Sequence, residues 1–441
     1  MNIKAIKSFI LEDRIKSFLL FSSASFIGAF IGIATLPFYA KHLMPAEFGI
    51  WTFVITFNAF IGSIIVLDLH SYFMIRYFSK DTNRDKLLSN LLSLSFIWSI
   101  LSMCILMIFG FSIFNKVFTS IKFFPFIFII LFSNIGSCFF QFLLIVYRLE
   151  NKPVHYFFLS IFQSLITALF AIIATIFSSQ NIVGRLAGYT AGMILSSFLA
   201  FILLVNCYSF KFSLDKKLAS ASLRFSAPLV PYVIATLSLD FLDRFFLERY
   251  STLKNLGLFG IANQINAASF LLLVTLIRVY EPSIVTWLNE LNKKSLFSFF
   301  KKYNWILIFC SVLIILTAQF IISSLTNENY LDAPQIIVKM TPFFYLKSIS
   351  VLLLTILVLQ KKTLITMYIS VFTLALYTIF GFYVIPSKGM DGLIFLKTIL
   401  SVISCFSIFC LFRKDVFFIK IKWYILFSFI ALTTLVIIFS N

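Results

Sequence analysis

The sequence predicts an all-α integral membrane protein. Three observations support that class: the apolar composition, the length of the apolar stretches and the distribution of basic residues. Of 441 residues, 61% are hydrophobic and 12% are charged, and the mean hydropathy is +1.01. Soluble domains average about 45–50% apolar and about 25% charged residues, so the chain departs from them on both measures. No long polar block remains for a separate soluble domain.

Stretches long enough to cross a bilayer recur along the whole chain, since a transmembrane helix needs about 20 mostly apolar residues. Twelve are predicted, at about 18–40, 48–70, 87–114, 123–147, 156–178, 183–208, 226–247, 257–280, 303–325, 335–359, 364–385 and 389–412. A thirteenth, 423–440, is short, and whether it spans stays open. The first stretch is too long for the core of a signal peptide, so we expect an uncleaved first helix.

The basic residues, which give the chain a formal net charge of +19, fall mainly on one side of these spans. With a cytoplasmic N-terminus, 24 of the 36 Lys and Arg residues lie in cytoplasmic segments and 7 in outer segments. This asymmetry follows the positive-inside rule and predicts that orientation. The charge therefore indicates topology, and we expect no nucleic-acid partner.

The twelve predicted spans divide into two halves of six. A cytoplasmic loop at 209–225 separates an N-lobe (1–208, spans 1–6) from a C-lobe (226–412, spans 7–12), and a basic loop with an extra helix follows at 413–441. A weak repeat supports this division, because "MPAEFGIWTF" opens span 2 and "LKNLGLFGIA" opens span 8. Two parallel six-helix halves imply a pseudo-two-fold axis along the membrane normal, which in transporters usually passes through the substrate path.

Four segments resemble signatures of one family, in the right order along nearly the whole chain. "TLPFYAKHLMPAEFGIW" resembles the first signature of bacterial polysaccharide transporters, and "VLDLHSYFMIRYFSK" their second-helix pattern, with His70 where a glycine is more usual. "FSAPLVPYVIATLSLDFLDRFFLERYSTLKNLGLFGIANQI" resembles the helix 7–8 signature, and "YVIPSKGMDGLIFLKTIL" the joint between helices 11 and 12. The chain thus resembles the O-antigen and polysaccharide flippase branch of the multidrug/oligosaccharidyl-lipid/polysaccharide exporter superfamily.

The resemblance implies a V-shaped exporter fold of two six-helix lobes. It also implies a substrate, an oligosaccharide on undecaprenyl pyrophosphate, moved by alternating access from the inner to the outer leaflet of the bacterial cytoplasmic membrane. The implied partners are this lipid-linked oligosaccharide, membrane lipids, a polysaccharide polymerase and chain-length proteins. No cofactor is expected beyond coupling to protons or sodium, because the six cysteines and three histidines show no metal-ligand spacing.

Such a substrate needs cations for its pyrophosphate and hydrogen-bonding groups for its sugar. Lys347 and Lys397 lie about 18 and 12 Å from the outer ends of spans 10 and 12, at 1.5 Å per residue. We expect both to bind the pyrophosphate, with snorkelling towards the interface as the alternative. Arg278 is expected to contact the substrate, unless it forms a structural pair with the neighbouring Glu281. Arg76 is also expected to contact the substrate, unless it serves only as a topological anchor at the inner surface. The polar residues expected at the substrate are Asn263, Gln264 and Gln141.

The segment "SLDFLDRFFLERY" places five charged residues in the seventh span and its outer end. Asp240 and Arg244 are four residues apart and share a helix face, which suits an ion pair. Asp243 has no obvious partner in its own helix. We expect it to pair with Lys41 across the outer mouth when the cleft faces inward, and to take up a proton or sodium ion when it faces outward. The residues expected at the gate or in ion coupling are Asp243, Arg244, Asp240, Asp68 and Lys41.

Three alternative functions are weighed against the flippase. A drug or cation exporter of the same superfamily would need an acidic cleft, whereas the charges within the spans are five bases and three acids. A membrane polymerase or ligase usually works through a sizeable outer loop, and the outer connections here are short. No nucleophile–base arrangement is apparent, so we do not expect an enzyme. A peptidoglycan-precursor flippase typically has more helices than the thirteen counted here, and this alternative stays open.

Overall fold

The computed structural model describes residues 20–21, 23–24, 26–66, 69–77, 83–208, 210–226, 229–360, 362–411 and 416–440, and within these ranges it contains helices and connections but no strand. In chain order the helices are α1 (Leu36–His42), α2 (Pro45–Val66), α3 (Leu69–Arg76), α4 (Arg84–Val117), α5 (Phe128–Leu131), α6 (Ser137–Leu149), α7 (Pro153–Phe177), α8 (Asn181–Tyr208), α9 (Lys216–Ser226), α10 (Leu229–Tyr250), α11 (Leu253–Asn289), α12 (Lys293–Leu325), α13 (Ala333–Leu359), α14 (Thr363–Leu411) and α15 (Val416–Ser440). Residues 26–34 are also helical.

Nine helices in the described part of the chain are long and apolar enough to cross a membrane. One of them, Ile365–Ile408, covers most of both the eleventh and the twelfth predicted spans. The seventh predicted span is α10, which carries several charges and is not among the nine. The first lies partly outside the described residues, and the short thirteenth forms part of α15. The chain is therefore a multi-pass, all-α membrane protein.

The chain divides into two compact units. The first comprises residues up to Phe38 together with Ile50–Phe241, and the second comprises Tyr39–Gly49 together with the chain from Leu242 onward. This division falls inside α10, later than the predicted lobe boundary. The predicted inter-lobe loop also has structure of its own, because most of it forms α9, which packs against α3 and α4.

In the first unit, the fourth predicted span is interrupted. A π-helical turn at Phe123–Ile127 leads into α5, and a 3-10 turn at Phe132–Asn134 follows before α6 begins at Ser137. Gly136, at the break, has φ +71, a left-handed conformation that glycine adopts without a steric penalty. Non-helical backbone inside a membrane span is tolerated where it lines a cavity or is buried in protein. The break therefore marks a place to look for a site.

A seam of small residues holds α8 against α7. Gly184, Gly188 and Gly192 recur every four residues along α8. A Cβ atom on Gly188 would lie 2.2 Å from the carbonyl oxygen of Phe170 in α7. A side chain at this position would clash with backbone, so the glycines permit the close helix approach that small residues at this spacing give in membranes.

In the second unit, α13 packs against α11, α12, α14 and α15. Asn266 of α11 is fully buried and donates a hydrogen bond to the carbonyl oxygen of Ile337 in α13 at 3.2 Å. The buried Tyr345 hydroxyl of α13 donates to Asn304 of α12 at 2.8 Å. Buried polar groups need such partners, so these side chains fix the neighbouring helices to α13.

The helix α14 is kinked rather than straight. Gly389 has φ +56 and ψ −133, and Pro386 precedes it by three residues. Proline removes a backbone donor from the helix, and glycine tolerates the left-handed φ. The eleventh and twelfth predicted spans therefore meet at a bend within one helical element.

The segment Tyr39–Gly49 packs within the second unit. A Cβ atom on Gly257 would lie 1.7 Å from the carbonyl oxygen of Pro45, and one on Gly49 would lie 2.4 Å from that of Leu253. Backbone therefore touches backbone at both positions. Gly49 lies in "MPAEFGIWTF" and Gly257 in "LKNLGLFGIA", so the two segments that show the weak repeat are in direct contact.

Candidate functional site

A buried carboxylate lies at the centre of the candidate site in the second unit. Asp243, on α10, is fully buried, with 0% of its surface exposed. Its carboxylate accepts hydrogen bonds from the Lys397 ammonium and the Tyr377 hydroxyl, and the Nη1 atom of Arg244 lies 3.5 Å from one carboxylate oxygen. Burying a carboxylate is costly unless it is paired and hydrogen-bonded. These three side chains supply both requirements.

The kink in α14 brings two of these donors together. Tyr377 lies before the bend at Gly389 and Lys397 lies after it. Twenty residues separate the two, which would place them about 30 Å apart along a straight helix. Because the helix bends, both side chains reach Asp243, and the site depends on the conformation of Gly389.

Phenylalanine rings surround the lysines of this site. The Lys397 ammonium lies 4.4 Å from the ring centroid of Phe343 and 5.7 Å from that of Phe259. The Lys347 ammonium lies 5.6 Å from the same Phe343 ring and 5.2 Å from that of Phe270. Aromatic faces attract cations. The structure thus places Lys347 and Lys397, the two lysines predicted to bind pyrophosphate, next to the same ring, that of Phe343.

The expected partner of Asp243 needs correction. Asp243 pairs with Lys397 of its own unit rather than with Lys41, whose side chain is exposed. Helix-internal spacing could not reveal this pair, because Lys397 is 154 positions away in the sequence and reaches the carboxylate only through the bend in α14. Asp240 is exposed on α10, and Asp68 lies outside the described residues.

A polar cavity of about 360 Å³ lies in the first unit beside the interrupted span. Its polar lining includes Asn58, His70, Ser133, Asn134, Ser137, Gln141 and Tyr189. The Asn134 amide donates to Asn58 at 2.7 Å, and Asn58 donates to the Ser133 hydroxyl at 3.1 Å. Amide and hydroxyl groups both donate and accept hydrogen bonds, so this lining matches the hydroxyl groups of a sugar. Of the residues predicted to contact the substrate, Gln141 lines this cavity.

The predicted residues Asn263 and Gln264 lie half-buried on α11. Asn263 follows Phe259 by four residues and precedes Phe270 by seven. By helical spacing it shares their face, which is the face near the two lysines. Gln264 is one position further around the helix.

The two predicted arginines differ in their surroundings. Arg278 is exposed on α11, and among the ion pairs between described residues none joins it to Glu281. Arg278 is not among the residues around Asp243 or in the polar cavity. Arg76 ends α3, where its guanidinium carbon lies 5.9 Å from the ring centroid of Tyr72.

Several site residues were not found from the sequence. Tyr377 has no distinguishing signal, because it is one of 17 tyrosines in an aromatic-rich chain. Asn58 carried the same signal as Gln141, a neutral polar side chain in an apolar span, and could have been found. His70 was noticed only as a departure from the family pattern, and the structure places it in the polar cavity.

Comparison with known proteins agrees with this architecture. A family model described as "Polysaccharide biosynthesis protein" matches residues 15–286. Among solved structures, the chain is similar to the lipid II flippase MurJ in an inward closed conformation, with a TM-score of 0.73 and 17% identity over 96% of this chain and 98% of that chain. It is also similar to an inward-facing multidrug resistance MATE family transporter of the MOP superfamily, with a TM-score of 0.68 and 13% identity over 95% of each chain.

A third solved structure, of a MOP superfamily transporter from Pyrococcus furiosus, gives a TM-score of 0.59 and 13% identity over 96% of each chain. At these identities the likeness concerns the fold, which is that of the MOP exporters. No curated protein matches the chain.

Proposed function

Because this chain belongs to the polysaccharide biosynthesis protein family, we propose that it is a flippase for an undecaprenyl-pyrophosphate-linked oligosaccharide. It would move this lipid from the cytoplasmic to the outer leaflet of the bacterial inner membrane, with its own N-terminus in the cytoplasm, for O-antigen or another surface polysaccharide. The family match over residues 15–286 carries the proposal. The structural relatives are named as transporters or as a flippase, not as catalysts.

The lysine pair around Phe343 supports a pyrophosphate site. Lys347 and Lys397 present two ammonium groups to one aromatic ring, in an apolar setting where charge interactions are less screened than in water. A pyrophosphate diester carries about two negative charges, one for each lysine. In this proposal both lysines contact the pyrophosphate, and Asn263 on the neighbouring face of α11 contacts the first sugar.

When no substrate is bound, the Asp243 carboxylate is the negative charge that pairs with Lys397, as the pyrophosphate does when the substrate is bound. Its carboxylate holds the Lys397 ammonium, which would otherwise be a buried charge without a counter-ion. An arriving pyrophosphate competes with Asp243 for Lys397, and a proton taken up by Asp243 releases the lysine. Either coupling ion, a proton or sodium, would have to compete for the carboxylate with Lys397, Tyr377 and Arg244, which already contact it. A sodium ion would have to displace the ammonium.

The polar cavity of the first unit supports a sugar-binding role. Its neutral amides and hydroxyls, joined through the Asn58–Asn134 hydrogen bond, suit an uncharged oligosaccharide. An organic cation would instead be held by carboxylates, and none of the residues lining this described cavity is acidic. The lining therefore favours the lipid-linked sugar over a drug cation.

The proposal is tested by complementation of a strain that lacks its polysaccharide flippase, scored for surface polysaccharide. We expect the wild-type chain to restore polymer and the Lys347→Ala variant not to, at equal abundance in the membrane. Lys362→Ala, at a half-buried position just before α14, is the control and should restore polymer. The proposal fails if the wild-type chain instead rescues a strain depleted of its peptidoglycan-precursor flippase, or only confers drug resistance.

A further inference from the structure

We infer that a second pocket, on the first unit, binds the pyrophosphate headgroup of a prenyl lipid. The pocket measures about 740 Å³ and lies between α3 and α9. Its lining includes Arg76, Lys216, Lys217, Arg224, Tyr72 and Phe225. The choice of lipid rests on the proposed function, whereas the presence of an anion site follows from the pocket itself.

Charge is the first argument. Four basic side chains from two helices converge on this pocket, and no acidic residue is part of its described lining. The neighbouring Asp215 is engaged elsewhere, because its carboxylate pairs with Lys86 at 3.2 Å and accepts the backbone N–H of Lys217 at 2.9 Å. The hydrogen bond from Lys86 holds the pKa of Asp215 below its usual range. Cations crowded in this way attract an anion of more than one charge, and arginine and lysine are common phosphate ligands in proteins.

The apolar surroundings are the second argument, and they point to a lipid. Phe225 is partly exposed, and its ring centroid lies 5.6 Å from that of Tyr72. Phe212, Leu214 and Leu223, which flank or belong to α9, are exposed as well. Basic residues together with exposed large apolar side chains on and beside one helix are typical of the membrane interface. A lipid offers both a charged headgroup and an apolar chain to such a surface.

The position of α3 is the third argument, and it selects a pyrophosphate that carries a sugar. His70 lines the polar cavity and Arg76 lines the basic pocket. Six residues of one helix separate them, which corresponds to about 9 Å. A ligand whose sugar directly follows its pyrophosphate matches this axial rise in length. An ordinary anionic phospholipid would use only the basic pocket.

The test measures binding of farnesyl pyrophosphate to the full-length protein in phosphatidylcholine nanodiscs. The pocket variant carries Lys216→Gln, Lys217→Gln and Arg224→Gln. It should bind at least tenfold more weakly, because three cations are lost. The control variant carries Lys294→Gln, Lys301→Gln and Lys302→Gln, exposed lysines of α12 in the second unit, and should change binding less than twofold. A variant with Lys216→Arg and Lys217→Arg should preserve binding, because it keeps the positive charge of the pocket, and an unchanged melting temperature of the Gln variant excludes misfolding as the cause.

Two outcomes overturn the inference. Equal weakening by the pocket and control variants would mean that farnesyl pyrophosphate responds only to the overall charge of the protein. Displacement of farnesyl pyrophosphate by an equal concentration of short-chain phosphatidylglycerol would make the pocket a general site for anionic lipids. Because this assay measures binding without transport, a failed complementation with intact pocket binding would reject the proposed function and leave the pocket site standing.

Discussion

The buried pair of Asp243 and Lys397 can be separated into its structural and functional contributions by a double-mutant cycle. The variants are Asp243→Asn, Lys397→Met and the double replacement, all close in shape to the native side chains. Asp243 is completely buried, and the Lys397 side chain is 10% exposed. The two single variants should not cost the same free energy of unfolding, because the partners they leave behind differ.

The Asp243→Asn variant leaves the cations of Lys397 and Arg244 without their shared carboxylate. Removing one partner of a buried ion pair costs about 3–5 kcal/mol. The Lys397→Met variant leaves Asp243 with Tyr377 and Arg244. It loses one hydrogen bond between charged groups, which is worth about 1.5–3 kcal/mol. The double variant should be no less stable than Asp243→Asn alone, because it also removes the ammonium that this variant leaves unpaired.

The assay is equilibrium unfolding of the purified protein in mixed detergent micelles, together with surface polysaccharide in the complemented strain. Lys339→Met is the matched control: Lys339 also pairs with an aspartate, Asp391, at 2.8 Å, but both side chains are exposed. Exposed pairs contribute about 0–1 kcal/mol. Two results would refute an interaction between Asp243 and Lys397. One is a loss of unfolding free energy in the double variant equal to the sum of the two single losses. The other is a loss in Lys397→Met no larger than that in Lys339→Met. A stable double variant that makes no polymer would indicate that Lys397 acts on substrate.

Three further predictions concern other parts of the molecule. Lys347→Arg should retain part of the surface polysaccharide that Lys347→Ala loses, because the cation remains near the Phe343 ring; full activity of Lys347→Ala would contradict this role. Gly188→Val should reduce the amount of folded protein in the membrane through its clash with the α7 backbone, whereas Gly110→Val, whose Cβ would meet only the side chain of Phe123 at 3.2 Å, should reduce it less. Transport in vesicles should be faster with a negative interior, because two negative charges leaving the inner side gain roughly 4–5 kcal/mol at 100 mV; indifference to the potential would mean that the charges cross neutralised.

The fold was predictable because its signals are local. The length and apolarity of each span are properties of consecutive residues, and the structure has helices at the predicted spans it describes, the short 423–440 included. The two interruptions were less visible. Pro386 and Gly389 could be seen in the sequence, but they were interpreted as a joint between two helices and not as a bend that carries Tyr377 and Lys397 to one carboxylate.

The site was predictable only in part, because its contacts join distant segments. Counting residues along two spans placed Lys347 and Lys397 at similar depth, and in the structure both lie beside Phe343. The same counting could not identify Phe343 among 59 phenylalanines. It also could not find the partner of Asp243, since spacing along one helix carries no information about a side chain from another.

The pairing of Lys397 has a consequence for how tightly a flippase should hold its substrate. A site that carries charge across a membrane must bind well enough to load and weakly enough to unload. An unpaired buried ammonium would bind pyrophosphate with the whole energy of a desolvated ion pair and would release it slowly. Asp243 lowers that affinity, because the pyrophosphate gains only the difference between its own interaction with Lys397 and the one already present. When the substrate leaves, Lys397 pairs again with the Asp243 carboxylate. Asp243 therefore favours release of the substrate as well as stability of the folded protein.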